Sequence, residues 1–153
     1  MPFRIAKSFT VESGHMLSKH PGRCRFPHGH SRTITLVVAA PTLDAHDMVC
    51  DFKALKLALD RVCDRFDHSL SINAADPLAK HLSPDRDRLV VFEGQDPTTE
   101  ILAQRIYHDL DTLLKEGAAF TARDGLTYRL PAGLAIERVR VTETDSTWAE
   151  YAP

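Results

Sequence analysis

The chain has 153 residues, of which 43% are hydrophobic and 26% charged. That mixture fits one globular domain spanning residues 1–153 and excludes disordered and fibrous classes. The 19 basic residues nearly cancel the 21 acidic ones, so no basic surface argues for nucleic acid.

Chain order then suggests the elements. Phe3, Ile5, Phe9 and Val11 share one parity, which predicts a half-buried strand over Phe3 to Ser13. Ser13 to Pro27 is turn-rich. Ser31 to Ala40 reads as a second strand, with Ile34, Leu36 and Val38 on one face. Asp51 opens a helix whose buried side is predicted as Phe52, Leu55, Leu59, Val62 and Phe66. Asn73 to Pro97 is again turn-rich and reads as a long surface loop. A second helix is predicted from Asp96 as cap and Pro97 as first residue, burying Leu102, Ile106, Leu110 and Leu113. Gly117 to Gly125 reads as loop, Leu126 to Leu130 as a short strand, and Ala135 to Glu143 as a strong one. Strands and helices that come grouped predict an α+β architecture, an antiparallel sheet with two helices on one face. No apolar run approaches the ~18 residues that cross a bilayer. Met1 to Lys7 has no apolar stretch of the secretory kind, so a cytoplasmic location is expected.

Histidine is the unusual residue, with 8 in the chain. His15 follows the first strand on the parity of Phe9 and Val11, and His28 and His30 precede the second on the parity of Ile34 and Leu36. If these strands pair antiparallel, three imidazoles meet at one rim of the sheet, on the core side. Three neutral nitrogens with an open fourth position describe a catalytic zinc site. His20, His46, His81 and His108 read as ordinary surface residues.

Cys24 lies just before His28, between Arg23 and Arg25. Two roles stay open for it: a reactive thiol near the metal, or a fourth ligand that closes a structural zinc site without catalysis. Cys50 and Cys63 have apolar neighbours and read as buried fillers. Three widely spaced cysteines form no disulfide framework, in keeping with a reducing compartment. Asp67 and His68 follow the first helix. They form either a favourable cation at a helix end or an acid/base histidine oriented by its acidic neighbour. Glu143 continues the inward parity of Val139 and Val141, so its carboxylate needs a partner. That partner is either an arginine from another element or the N–H edge of a guanidine-like ring.

Six segments together resemble one known family. They are Phe9 to His15, Cys24 to His30, Met48 to Lys56, Phe66 to Leu70, Pro97 to Glu100 and Val141 to Asp145. The chain is similar to the 6-pyruvoyltetrahydropterin and 6-carboxytetrahydropterin synthases along nearly its whole length. The resemblance implies the tunnelling fold, a four-stranded antiparallel sheet with two helices. It also implies a homohexamer of two stacked trimers, closed into barrels, with active sites between subunits. By resemblance His15, His28 and His30 hold zinc, and Cys24 is the catalytic thiol. Asp67 and His68 are the acid/base pair, supplied by a neighbouring subunit. Glu143 anchors the pterin, with Thr98 and Thr99 beside it. The implied substrate is 7,8-dihydroneopterin triphosphate. The short Cys24 to His28 spacing resembles the bacterial carboxy branch of queuosine biosynthesis, with carboxytetrahydropterin, acetaldehyde and triphosphate as products. Thr98 to Glu100 and Glu143 to Asp145 resemble the pyruvoyl branch, which eliminates triphosphate. A small-barrel metal oxygenase would need more strands than the two-helix pattern allows.

Overall fold

The computed structural model describes residues 1–153. Its elements are β1 (Phe3–His15), β2 (His28–Ala40), α1 (Phe52–Cys63), β3 (Ser69–Asn73), β4 (Leu89–Phe92), α2 (Thr99–Lys115), β5 (Ala119–Thr121), β6 (Thr127–Arg129), β7 (Ala135–Thr144) and β8 (Thr147–Tyr151). β1 and β2 form a long antiparallel ladder that runs from Phe3 opposite Ala40 to His15 opposite His28. β7 continues the sheet beside β2, and β8 beside β7.

The expected four-stranded antiparallel sheet is corrected on two counts. The sheet has six strands in the order β4-β3-β1-β2-β7-β8, and it is mixed. β3 pairs parallel to β1 and β4 parallel to β3. Three strands of this sheet, β3, β4 and β8, are not predicted from the sequence. β4 is a four-residue apolar run inside the stretch expected to be all loop, masked by the prolines and aspartates before it. The strand expected at Leu126 to Leu130 does form, as β6, but outside the main sheet. It pairs with β5, in a segment expected to be loop.

Both helices pack on the face that carries Val11, Ile34, Leu36, Val139 and Val141. Asp51 caps α1 by accepting the Lys53 N–H at 2.7 Å. Ala54, Leu55, Ala58, Leu59 and Val62 face inward, but Phe52 is 55% exposed, because the first residue of the helix points off its buried stripe. α2 starts later than expected. Thr98, not Asp96, is its cap, accepting from the Ile101 N–H at 3.3 Å. Asp96 is taken by other donors: Ser18 Oγ and the Lys19 N–H at 2.7 Å each, and Asn73 Nδ2 at 3.0 Å. Burial opposes its charge, yet these donors prevail and hold the carboxyl below its ordinary range. Asp96 thereby ties the loop after β1 to the start of α2, which are two walls of the site described next. No helix is long and apolar enough to cross a membrane.

Candidate active site

The β1–β2 register places His15 opposite His28 and Ser13 opposite His30. The three rings therefore meet at the sheet rim, with centroids 4.5 Å apart for His15–His28 and 5.2 Å for the other two pairs. One nitrogen from each lies within 4.8 Å of the others. Two of the rings are oriented by backbone. His15 Nδ1 donates to the Pro97 carbonyl at 2.8 Å and His28 Nδ1 to that of Phe26 at 2.7 Å. This fixes the tautomer and makes each Nε2 the acceptor nitrogen, that of His15 lying 3.4 Å from Arg32 Nη2. His30 Nε2 is buried and has no hydrogen-bond partner. An orphaned nitrogen facing two others is what a bound divalent transition metal would satisfy, so the donor set fits zinc.

Burial is the main reason the His15 imidazole is neutral, its pKa lowered from 6.5 to about 4 although the Pro97 carbonyl opposes this. Nearby Arg32 adds to the lowering. His30 is lowered for the same first reason, burial, and then by Arg32. A histidine with a depressed folded pKa contributes full stability above its unfolded value. That contribution is lost as pH falls, because the unfolded chain takes up the proton first. The metal-free protein is therefore expected to weaken as pH drops from 6.5 toward 4, by roughly 2 kcal/mol from His15 alone. Urea midpoints measured across that window check it.

Glu143 reaches this cluster from β7. A bulge between Thr142 and Thr144 in the β7–β8 pairing aims its side chain. Its Oε1 lies 3.7 Å from His15 Nε2, 3.6 Å from His30 Nε2 and 3.9 Å from Arg32 Nη2. It accepts a hydrogen bond from Thr99 Oγ1 at 3.1 Å. Arg32 is a residue that sequence reasoning missed. Its signal was present: a charged side chain on the inward parity of β2, between His30 and Ile34. Thr98 and Thr99 line the same cavity as Glu143, and both hydroxyls have protein partners: Thr98 caps α2 and Thr99 sits between Arg32 and Glu143.

Cys24 lies on a single helical turn, Arg23–Arg25, whose position is set by the Leu17 N–H donating to the Cys24 carbonyl at 3.0 Å. It lines a cavity of about 280 Å³ together with Thr98, Thr99, Glu143 and two residues the sequence did not single out, His20 and Trp148. The cluster of potential ligand atoms comprises the three histidines and not Cys24. The thiol thus faces the cavity that Glu143 enters, outside the nitrogen triad. Cys50 and Cys63 are buried as expected, and burial pushes their thiols up to about 11 and about 12, so neither is reactive.

Asp67 and His68 do not join this cavity within one chain. His68 lines a separate depression with Glu12, Gly14, His30, Ser31 and Asp87, and Asp67 adjoins it through Glu12. Asp67 accepts the Glu12 N–H at 2.8 Å and lies 3.0 Å from His68 Nδ1. The Glu12 N–H, then His68, hold its carboxyl below the usual range. The His68 backbone takes a φ of +52°, and its side chain is 76% exposed. Arg88 fixes this turn by donating to the carbonyls of Asp64, Asp67 and His68 at 3.3, 2.9 and 3.2 Å. The pair is thus an exposed, oriented unit outside the cavity of Cys24 and Glu143, beside a depression that His30 also lines.

A sheet backed by two helices, with three histidines converging at its rim, defines a candidate metal-dependent enzyme, and comparison with known proteins gives the family. The family model described as 6-pyruvoyl tetrahydropterin synthase matches residues 4–153, so the chain belongs to that family. It is 28% identical to the 6-carboxy-5,6,7,8-tetrahydropterin synthase of Aquifex aeolicus, covering 99% of this chain and 98% of that one. It is 29% identical to the enzyme of that name from Rickettsia bellii, over 76% of this chain and 86% of the other. Among solved structures, an uncharacterized protein from Wolinella succinogenes superposes with a TM-score of 0.75 at 20% identity, covering 98% and 97% of the two chains. A catalytic-residue mutant of Plasmodium vivax 6-pyruvoyltetrahydropterin synthase superposes at 0.71 and 18% identity, covering 99% and 97%. At such identities these two establish the fold alone.

Proposed function

We propose that the chain is a zinc-dependent lyase that converts 7,8-dihydroneopterin triphosphate to 6-carboxy-5,6,7,8-tetrahydropterin, releasing acetaldehyde and triphosphate. The observation that carries this is the orphaned His30 Nε2 facing His15 and His28, beside a cavity shared by Cys24 and Glu143. The carboxy branch is favoured because relatives of that name align along 99% and 76% of the chain.

In this reading His15, His28 and His30 hold Zn²⁺, which when bound polarises the oxygens of the substrate side chain. Glu143 accepts two parallel N–H bonds from the pterin ring and so fixes its orientation. Cys24 takes and returns a proton at the substrate side chain. His68, oriented by Asp67, is the second acid/base group and comes from a neighbouring subunit, in keeping with its absence from the lining of the Cys24 cavity in its own chain. The queuosine pathway and a cytoplasmic setting complete the reading.

Mass spectrometry of the products formed from 7,8-dihydroneopterin triphosphate and the zinc-loaded protein tests it. Carboxytetrahydropterin with acetaldehyde is expected. A pyruvoyl product without acetaldehyde would place the chain in the other branch, and no product at all would reject the lyase. Changing His28 to Ala is expected to remove most bound zinc, because a catalytic zinc site needs three protein ligands and only two would remain. Metal analysis after gel filtration checks that. The protein is also expected to sediment as a hexamer, since β4 and β8 are open sheet edges and the acid/base pair needs a second chain. A monomer at micromolar concentration would contradict this.

A further inference from the structure

Arg32 is the largest fully buried side chain in the protein, only 1% exposed, and lies against the histidine cluster. Burying a guanidinium is costly unless its charge and hydrogens find partners. Here Nη1 donates to Thr99 Oγ1 at 2.9 Å and to the Thr142 carbonyl at 3.3 Å, and Nη2 lies 3.4 Å from His15 Nε2, while Nε has no partner.

The hydrogen inventory gives the contacts a direction. Arginine can only donate, so Thr99 Oγ1 accepts from it. The single hydroxyl hydrogen of Thr99 is then free to go to Glu143 Oε1 at 3.1 Å. The chain Arg32 to Thr99 to Glu143 therefore ends on an acceptor, the Glu143 carboxylate oxygen. Arg32 Nη2 adds its charge 3.9 Å from the same oxygen. That oxygen is also 3.6 and 3.7 Å from the Nε2 atoms of His30 and His15. A carboxylate oxygen so close to two ligand nitrogens is a ready competitor for any cation they hold. Two attractions act on Glu143: the metal on one side, and the Arg32–Thr99 pair on the other.

We propose that Arg32 is a positioning residue that acts through Thr99 to hold the Glu143 carboxylate toward the ligand cavity and off the metal, keeping the fourth coordination position open. The inference rests on the metal-site reading above. It assigns Arg32 no contact with substrate.

The test loads wild type, R32M and T99V with Co²⁺ and records visible absorption with and without azide. The wild-type bands are expected to shift with azide, as an open position requires. In R32M and T99V, Glu143 joins the metal, so the bands should differ from wild type and no longer respond to azide. Neopterin should bind both variants at least ~10-fold more weakly, since the charge-assisted bonds to the ring are lost. Adding E143Q to R32M should restore the azide response. A purely structural Arg32 would lower the melting temperature and leave the azide response intact. Wild-type spectra and azide response in R32M and T99V would overturn the proposal. T99V keeps Arg32 and the side-chain volume, so it decides the matter where R32M does not fold. A wild type that takes up no cobalt overturns this inference together with the metal reading. Cobalt uptake without turnover of the pterin triphosphate sinks the lyase reading alone.

Discussion

Cys24→Ala is expected to lower turnover by about 10²–10⁴-fold while leaving zinc content and melting temperature unchanged. The magnitude is that of removing one positioned proton-transfer group. The retention of zinc follows from geometry, because the ligand-atom cluster is complete without the thiol. The unchanged stability follows from placement. Cys24 sits on a one-turn helix with no buried residue, and its contact to the loop runs through its backbone carbonyl, which alanine keeps. Steady-state rates, metal analysis and thermal melting on the one variant separate the two roles that the sequence left open. Loss of zinc along with activity would make Cys24 a ligand and the site structural.

The two long strands and the histidine triad were legible because they obey a period of two. His15, His28 and His30 share the parity of the apolar residues on their own strands, and one antiparallel pairing brings them together. The β3–β4 edge was not legible. Its pairing is parallel and non-local, and β4 offers four residues with no turn chemistry tying it to β3. Asp96 misled for a related reason. Its local context suits a helix cap, but three donors from Ser18, Lys19 and Asn73 claim it, and only the folded chain brings them there. Arg32 was overlooked although its parity was plain. The inward carboxylate of Glu143 invited a search for an arginine partner, and the arginine stood two residues after His30. Asp67 and His68 could be read as a unit, and within one chain they form one, but their distance from the cavity is not written in the sequence.

Glu143→Gln is expected to weaken pterin binding at least ~100-fold with little change in zinc content or melting temperature. The size follows from losing a bidentate charge-assisted pair, in which each bond contributes about 1.5–3 kcal/mol. The direction follows from the neighbours. Arg32 donates into Thr99 Oγ1, so the Thr99 hydrogen is committed to position Oε1 of residue 143. A glutamine amide must therefore keep its oxygen at that place and turn its NH₂ toward the cavity. A donor then faces the N–H edge of the ring, where the native carboxylate presented an acceptor. The amide cannot escape by flipping, since its NH₂ would then meet the Thr99 hydrogen. Stability should hold, because Arg32 retains Thr99 Oγ1 and the Thr142 carbonyl, and the carboxylate it loses is 3.9 Å away and partly exposed. If Glu143 serves chiefly as the counter-charge of Arg32, the pattern reverses: the melting temperature falls and neopterin binds normally. Titration calorimetry with neopterin and a thermal melt on the same preparation distinguish the two, and undiminished affinity would remove Glu143 from the ligand site.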